Sequence, residues 1–210
     1  LPGETETDQA WGWPMEVPSW NWEGHEGIPL GVRVFARGCE SVQLVLNGKT
    51  VGEAHFQANL TAYFEVAYQP GTLKALCVNG SDVISNITTS LRTTGAASSL
   101  WLTADRTRIR HDRNDLSYVT VSVVDAKGAQ VPDANVTVAL AVDGVGELVA
   151  VGSGDPTDVS SFLAPNRTTW RGSAVAVLRP TGQRPGRITI RASAPGLSPA
   201  MLAVATYAPV

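Results

Sequence analysis

The chain has 210 residues, of which 43% are hydrophobic and 17% charged, and a net charge of −3. This length is enough for one large domain or two small ones, each with its own buried core. The mild charge and the lack of a basic run argue against a nucleic-acid-binding surface. No apolar run approaches the roughly 20 residues of a membrane span. No signal peptide opens the chain, and its first four residues look like the interior of a longer protein or a trimmed start.

Apolar residues recur at every second position along most of the chain, which is the pattern of half-buried β-strands. In the first half the pattern predicts strands near residues 30–35, 42–46, 64–68 and 73–77. Asn47-Gly48 follows the second of these strands and is the strongest short signal for a β-hairpin. The third strand is closed by the turn sequence Gln69-Pro70-Gly71. Residues 91–99 are small and polar, which predicts a linker.

Strands with the same alternation resume after the predicted linker. They lie near residues 100–104, 119–123, 136–142, 174–178, 188–192 and 201–207. Because no stretch has a sustained helical period, we predict an all-β protein made of two tandem immunoglobulin-like or fibronectin-III-like β-sandwiches. The predicted organisation is a Trp-rich lead-in segment, a first sandwich and a second sandwich, at residues 1–24, 25–94 and 95–210.

Five of the eight asparagines lie in N-x-[ST] sequons, which are acceptors for N-linked glycans. The candidate glycosylation sites are Asn59, Asn79, Asn86, Asn135 and Asn166. This density predicts a secreted, extracellular or luminal protein, as in a lysosome or vacuole. In such a compartment the two cysteines, Cys39 and Cys77, are candidates for a disulfide. Two separate buried thiols are the alternative.

The residue types that commonly carry catalysis or bind metals form no recognisable motif in this sequence. The three histidines, His25, His55 and His111, lie far apart, and none has metal-ligand spacing to another histidine or cysteine. Neither cysteine lies in a nucleophile motif, and no glycine-rich loop precedes a helix. Asp125 and Asp143 precede turn glycines, which explains them as turn formers, with calcium binding as an alternative. We therefore predict no catalytic residue, no metal site and no cofactor in this chain.

Four of the six tryptophans lie close together at the start of the chain, at Trp11, Trp13, Trp20 and Trp22. Spacing by two fits extended segments whose rings pack into a core or a protein interface. Aromatic faces also stack on sugar rings, so a carbohydrate-binding platform is the alternative. The polar residues beside them, Glu23 and His25, complete the candidate set for sugar or interface contact.

Several motifs resemble glycoside hydrolase family 2, in its β-galactosidase-like members. Residues 18–34 resemble the segment that follows the family's catalytic barrel. Residues 39–52 are similar to its "C-D-S-V-E-L-F-L-N-G-K-S-L-G" hairpin, and residues 66–75 to its "V-P-Y-x-P-G-x-L-K-A". In the second half, residues resembling the last immunoglobulin-like domain of these enzymes lie at 102–106, 115–125, 144–156, 172–179 and 186–192. Ser153 departs from the family's usual asparagine in "G-N-G-D-P", which affects only the local turn.

The resemblance implies hydrolysis of a terminal β-galactoside with retention, by two glutamates about 5–5.5 Å apart. In the family both glutamates lie on the barrel, one of them in an Asn-Glu pair. This chain has no Asn-Glu dipeptide and no alternation of strands and helices, so it resembles the non-catalytic C-terminal part. The implied partners are the catalytic barrel and N-terminal sandwich domains, attached or associated. The alternative functions are a carbohydrate-binding module, which would have a glycan as partner, and an extracellular adhesion or structural module.

Overall fold

The computed structural model describes residues 16–56 and 60–208. Trp11, Trp13 and the sequon residue Asn59 lie outside the described residues. The chain divides into two compact units between Thr93 and Thr94, next to the predicted boundary after residue 94. The described residues form β-strands and no helix, which confirms the predicted all-β fold class.

The first domain contains six strands. They are β1 (Pro29–Phe35), β2 (Ser41–Leu46), β3 (Lys49–His55), β4 (Thr61–Ala67), β5 (Thr72–Asn79) and β6 (Asp82–Arg92). A four-stranded antiparallel sheet has the order β3-β2-β5-β6, and β1 pairs with β4 in a second sheet. The two sheets enclose one core, because alternate residues of β1, β2, β4 and β5 are buried.

The β2–β3 hairpin confirms the prediction made from Asn47-Gly48. Both residues have positive φ, at 51° and 81°, as a type I′ turn requires. The Asn47 side chain also fixes the next connection, because its Nδ2 donates to the Pro70 carbonyl at 3.0 Å and its Oδ1 accepts from the Thr72 backbone N–H at 2.9 Å. Gly71 fits beside it because an added Cβ would lie 1.8 Å from the Asn47 Oδ1.

The second domain contains nine strands. They are β7 (Ala97–Ala104), β8 (Arg108–Arg110), β9 (Ser117–Asp125), β10 (Thr137–Gly144), β11 (Gly146–Gly152), β12 (Asn166–Thr168), β13 (Ser173–Pro180), β14 (Gly186–Ser193) and β15 (Ala200–Tyr207). The sheets have the orders β12-β10-β14-β15-β8 and β11-β13-β9-β7. Among the strand pairs of the described residues, β8–β15 is the parallel one, and a single parallel bridge joins Ser99 to Ser198. This is the two-sheet arrangement of an immunoglobulin-like sandwich.

The core of the second domain is formed by the inward positions of facing strands. Val119, Val121 and Val123 of β9 are completely buried, as are Ile188 and Ile190 of β14. An exposed or half-buried residue lies on either side of each of them except Val123, which is followed by the buried Val124. This alternation places one face of each sheet inward, and it is the signal from which these strands were predicted.

The predicted linker at residues 91–99 is shorter in the structure. β6 continues to Arg92, which pairs with Thr72 of β5, and β7 begins at Ala97, which pairs with Asp125 of β9. Residues 93–96 connect the two strands. The prediction was too long because β6 is an edge strand rich in threonine and serine. Most of its side chains are exposed on both faces, so it lacks hydrophobic alternation.

Candidate functional site

Trp20 lies in the core of the first domain. Its side chain is 2% exposed, and its indole N–H donates to the Gln69 carbonyl at 3.0 Å. The ring meets that of Tyr68 edge-on, with centroids 5.2 Å apart. The Trp20 carbonyl accepts a hydrogen bond of 2.7 Å from the Thr93 hydroxyl. Burial removes the ring face of Trp20 from solvent, so this member of the candidate set cannot stack on a sugar in this structure.

Trp22, in contrast, is half-buried and packs against the edge of the same core. Its backbone N–H donates to the Tyr68 hydroxyl at 3.2 Å, while the Tyr68 backbone pairs with Gly27 and Ile28 next to β1. Tyr68 is itself 1% exposed. One buried tyrosine therefore holds both tryptophans against the start of the first sandwich.

Glu23 and His25 lie in the turn that follows Trp22, where Glu23 is exposed and His25 is half-buried. The backbone N–H of His25 donates to the Trp22 carbonyl at 3.0 Å, and its ring Nδ1 lies 3.2 Å from the Glu23 carbonyl oxygen. The turn uses Gly24 with φ of +81°, which a side chain rarely tolerates. Glu23 and His25 therefore lie next to Trp22, whereas the ring of Trp20 is buried in the core. Within residues 16–56 and 60–208, no group of three or more His, Cys, Asp or Glu side chains could hold a metal ion.

A groove of about 670 Å³ lies between the two sheets of the first domain. Its apolar lining includes Trp22, Leu30 and Leu44, and its rim includes Glu16. The Glu16 carboxylate is engaged by Arg33 of β1, with 2.6 Å between Oε1 and Nε. The groove therefore offers an apolar surface with one half-exposed indole, and the carboxylate at its rim is neutralised by a guanidinium.

The second domain has a structured loop between β11 and β12. Arg167 is 3% exposed, and its Nη1 lies 2.5 Å from the Asp158 Oδ2. Its Nη2 donates to the Ser161 carbonyl at 2.6 Å. The Ser160 hydroxyl donates to the Asp158 carboxylate. This hydrogen bond, with the Arg167 guanidinium, lowers the pKa of Asp158 to about 2. Nearby, the buried Ser153 hydroxyl has no hydrogen-bond partner among the described residues.

Sequence reasoning missed Tyr68 and Arg167, which organise these two regions. The alternation pattern identifies Tyr68 only as a strand residue, although it lies beside the Pro-Gly turn that positions Trp20. Arg167 lies inside the sequon Asn166-Arg167-Thr168, and no local pattern predicts that an arginine there is buried. Both roles depend on partners across the fold. The only available signal was the density of small polar residues before Arg167.

Cys39 and Cys77 form a disulfide in the structure, with 5.6 Å between their Cα atoms. Cys77 lies in β5 and Cys39 precedes β2, the neighbouring strand. The bond closes a segment across 38 positions of sequence. Within the part of the chain that the structure describes, no free cysteine remains.

The four described sequon asparagines are exposed; they are Asn79, Asn86, Asn135 and Asn166. Asn79 lies at the end of β5, where its Oδ1 accepts from the Glu40 backbone N–H at 2.8 Å. Asn166 begins the edge strand β12. No helix among the described residues is long and apolar enough to cross a membrane.

Comparison with known families matches both domains. Residues 100–203 match the glycoside hydrolase family 2 C-terminal domain 5, and residues 27–84 match a domain of unknown function, DUF4982. A solved family 2 member from Bacteroides cellulosilyticus superposes with a TM-score of 0.86 and 37% identity over 94% of this chain. The chain corresponds to the C-terminal domains of glycoside hydrolase family 2. This was the resemblance drawn from the sequence, and it is confirmed.

Two further relatives within family 2 carry named activities. The β-galactosidase BoGH2A of Bacteroides ovatus is 30% identical over 188 residues, which is 89% of this chain. A solved family 2 β-glucuronidase is 25% identical with a TM-score of 0.73 over 90% of this chain. The chain spans only 22% of the β-galactosidase, 20% of the β-glucuronidase and 25% of the Bacteroides cellulosilyticus protein. These relatives are longer proteins, and this chain matches a C-terminal part of them.

Proposed function

We propose that this chain is the non-catalytic C-terminal accessory region of a family 2 glycoside hydrolase of the β-galactosidase type. The proposal rests on the comparison with longer family 2 proteins. Nearly the whole of this chain matches them, but it spans only about a quarter or less of their length. In this arrangement the hydrolysis of a terminal β-galactoside takes place on a barrel outside the 210 residues, and the two sandwiches support that barrel.

The geometry of the described residues favours an accessory role for this chain over a catalytic one. Retaining hydrolysis needs two free carboxyl groups about 5–5.5 Å apart across a substrate cleft. In the groove of the first domain, the carboxylate of Glu16 is paired with Arg33. Asp158 of the second domain is fixed by Arg167 and has a pKa lowered to about 2, which makes it a poor general acid near neutral pH.

The test is to determine the polypeptide that surrounds these residues and to assay it as a whole. The proposal expects a barrel with two glutamates, and cleavage of an aryl β-galactoside in preference to the matched β-glucuronide and β-glucoside. Preference for the β-glucuronide would reject the β-galactosidase type but keep the accessory role. A surrounding polypeptide without a barrel, and without a barrel-bearing partner on purification, would reject both.

A second candidate, carbohydrate binding by the groove, is favoured by the half-exposed indole of Trp22 beside apolar walls. Fluorescence titration with galactosides tests it, with Trp22→Ala as the variant. Trp101→Ala is the matched control because Trp101 is 64% exposed in the other domain. A saturable signal that is lost in Trp22→Ala and kept in Trp101→Ala would support binding. The same titration curve in both variants would reject it.

We also propose that the protein matures in a secretory compartment. The disulfide between Cys39 and Cys77 and the exposed sequon asparagines support this, because disulfides persist in oxidising compartments and N-glycans are added there. Mass spectrometry of protein isolated from its own cells would reveal the disulfide-linked peptide and the glycopeptides. Free thiols together with unmodified sequons would reject the proposal.

A further inference from the structure

Strand β6 forms an open edge of the four-stranded sheet in the first domain. It pairs with β5 on one side and ends the order β3-β2-β5-β6. An edge strand presents unpaired N–H and C=O groups, which can pair with a strand of another molecule. Val83 and Ile87 add apolar surface there, with 47% and 38% of their area exposed. The β6 edge therefore needs a feature that prevents strand addition.

The middle of β6 lacks the charged residues and prolines that usually protect an edge strand, because its charges are confined to the end residues Asp82 and Arg92. Residues 83–91, Val-Ile-Ser-Asn-Ile-Thr-Thr-Ser-Leu, contain no charge, no proline and no glycine. Such a segment, rich in β-branched residues, is the composition that stacks into cross-β structure. The opposite edge strand, β3, differs because it carries the charged residues Lys49 and Glu53, whereas a bulge is present in both edge strands. Charges of that kind are one way in which natural sheets protect their edges.

The sequon Asn86-Ile87-Thr88 lies where the ladder of β6 is interrupted. Leu76 pairs with Thr88, but the next residue of β5, Cys77, pairs with Ile84. Residues 85–87 thus bulge out of the pairing with β5, in the middle of the strand. Asn86 is exposed at this bulge. Among the described residues, no strand lies beyond β6 on this side of the sheet. A group attached to Asn86 would therefore extend from the open edge.

We propose that Asn86 carries an N-linked glycan, and that this glycan shields the β6 edge from strand addition. A large hydrated glycan on the bulge keeps another strand from approaching the edge closely enough to pair, so it takes the place of the missing charges. The other described sequon asparagines do not lie at a bulge in the middle of an edge strand; Asn166 is the first residue of the three-residue edge strand β12. Asn79 is at a hairpin end, where its side chain accepts from the Glu40 backbone.

The modification is a group transfer from an oligosaccharyl polyprenyl diphosphate. The bond between Asn86 Nδ2 and the sugar C1 forms, and the bond between C1 and the phosphate oxygen breaks. The polyprenyl diphosphate leaves, and the amide nitrogen gives up one proton to a base of the transferase. No oxidant or reductant is required.

The first test is peptide mapping of protein isolated from its own cells, before and after enzymatic release of N-glycans in heavy-oxygen water. The proposal expects conversion of Asn86 to isotope-labelled aspartate. This inference rests on the secretory localisation proposed above, so a protein with no occupied sequon would overturn it, and free thiols in the same protein would overturn the localisation as well. A protein glycosylated at other sequons with Asn86 bare would overturn this inference alone.

The second test uses variants secreted from cultured cells of an N-glycosylating eukaryote. Thr88→Ala removes the sequon, and Thr89→Ala is the matched control, being the next exposed threonine of the same strand. The expected result is loss of one glycan from Thr88→Ala and none from Thr89→Ala. Retention of the Asn86 glycan in Thr88→Ala, or its loss in Thr89→Ala, would contradict the assignment.

The shielding role is tested separately, by measuring the molecular mass of the protein in solution as a function of its concentration, because strand addition would increase that mass. Asn86→Gln is expected to self-associate at concentrations where the glycosylated chain keeps a constant mass. Adding Ile87→Lys to Asn86→Gln places a charge on the same edge and is expected to restore that mass. An Asn86→Gln protein with the same concentration dependence as the glycosylated chain would overturn the shielding role.

Discussion

Replacing Trp20 by alanine is expected to destabilise the first domain strongly. The side chain is 2% exposed, and truncating a large aromatic residue in a core costs about 3–5 kcal/mol. That sum includes the edge-on contact with Tyr68, which contributes about 0.5–1.5 kcal/mol. It also includes the indole hydrogen bond to the Gln69 carbonyl, about 1 kcal/mol. Since whole domains are stable by only about 5–15 kcal/mol, the variant domain is expected to be near its unfolding limit.

Hydrogen exchange in increasing denaturant measures this cost, because peptides from each domain report their own free energy of unfolding. Trp20→Phe keeps an aromatic ring but loses the N–H, so a smaller loss of about 1–2 kcal/mol is expected. Trp101→Ala is the control, with a cost below about 1 kcal/mol because Trp101 is 64% exposed. A cost below about 1 kcal/mol for Trp20→Ala would refute the conclusion that Trp20 is a core residue rather than a ligand contact.

Three further predictions concern the two domains separately. The lowered pKa of Asp158 contributes stability that is present above the ordinary carboxyl pKa and is lost as pH falls towards about 2. On acid titration, the second domain should therefore lose less stability in Asp158→Asn than in the unchanged protein. Identical curves of stability against pH would contradict the ion pair. Replacing Cys39 and Cys77 by serine should lower the stability of the first domain by about 4 kcal/mol, measured by denaturant unfolding, because their bond closes 38 positions of chain; equal midpoints would contradict it. Gly144→Ala should lower the melting temperature of the second domain more than Gly128→Ala, since both have positive φ but only the former would place a Cβ 2.1 Å from a backbone oxygen; equal shifts would contradict this packing.

Hydrophobic alternation was sufficient to predict strands that bury one whole face. In β9 and β13 most inward residues are valine, alanine and leucine with almost no exposure, and exposed or half-buried residues alternate with them along most of each strand. Asn47-Gly48 likewise predicted its hairpin, because only a few residues adopt the positive φ that the turn requires. In these cases the determinants are local in sequence.

Features that depend on distant partners could not be predicted in this way. β6 lacks an alternating pattern because it lies at a sheet edge, so part of it was assigned to a linker. Trp20 lies in a Trp-rich segment whose spacing fits a core or an interface, with a sugar platform as the alternative. Its burial is decided by Tyr68, 48 positions away. The buried Arg167 is stabilised by a loop whose sequence shows only turn-forming residues.

The central proposal is that these two sandwiches support hydrolysis by a longer protein without performing it. The most direct measurement compares the purified 210-residue chain with the complete polypeptide that contains it, at equal molar concentration, on an aryl β-galactoside. We predict turnover by the complete protein and none above buffer by the chain alone. Turnover by the isolated chain that disappears when one of its own acidic residues is replaced would contradict the account.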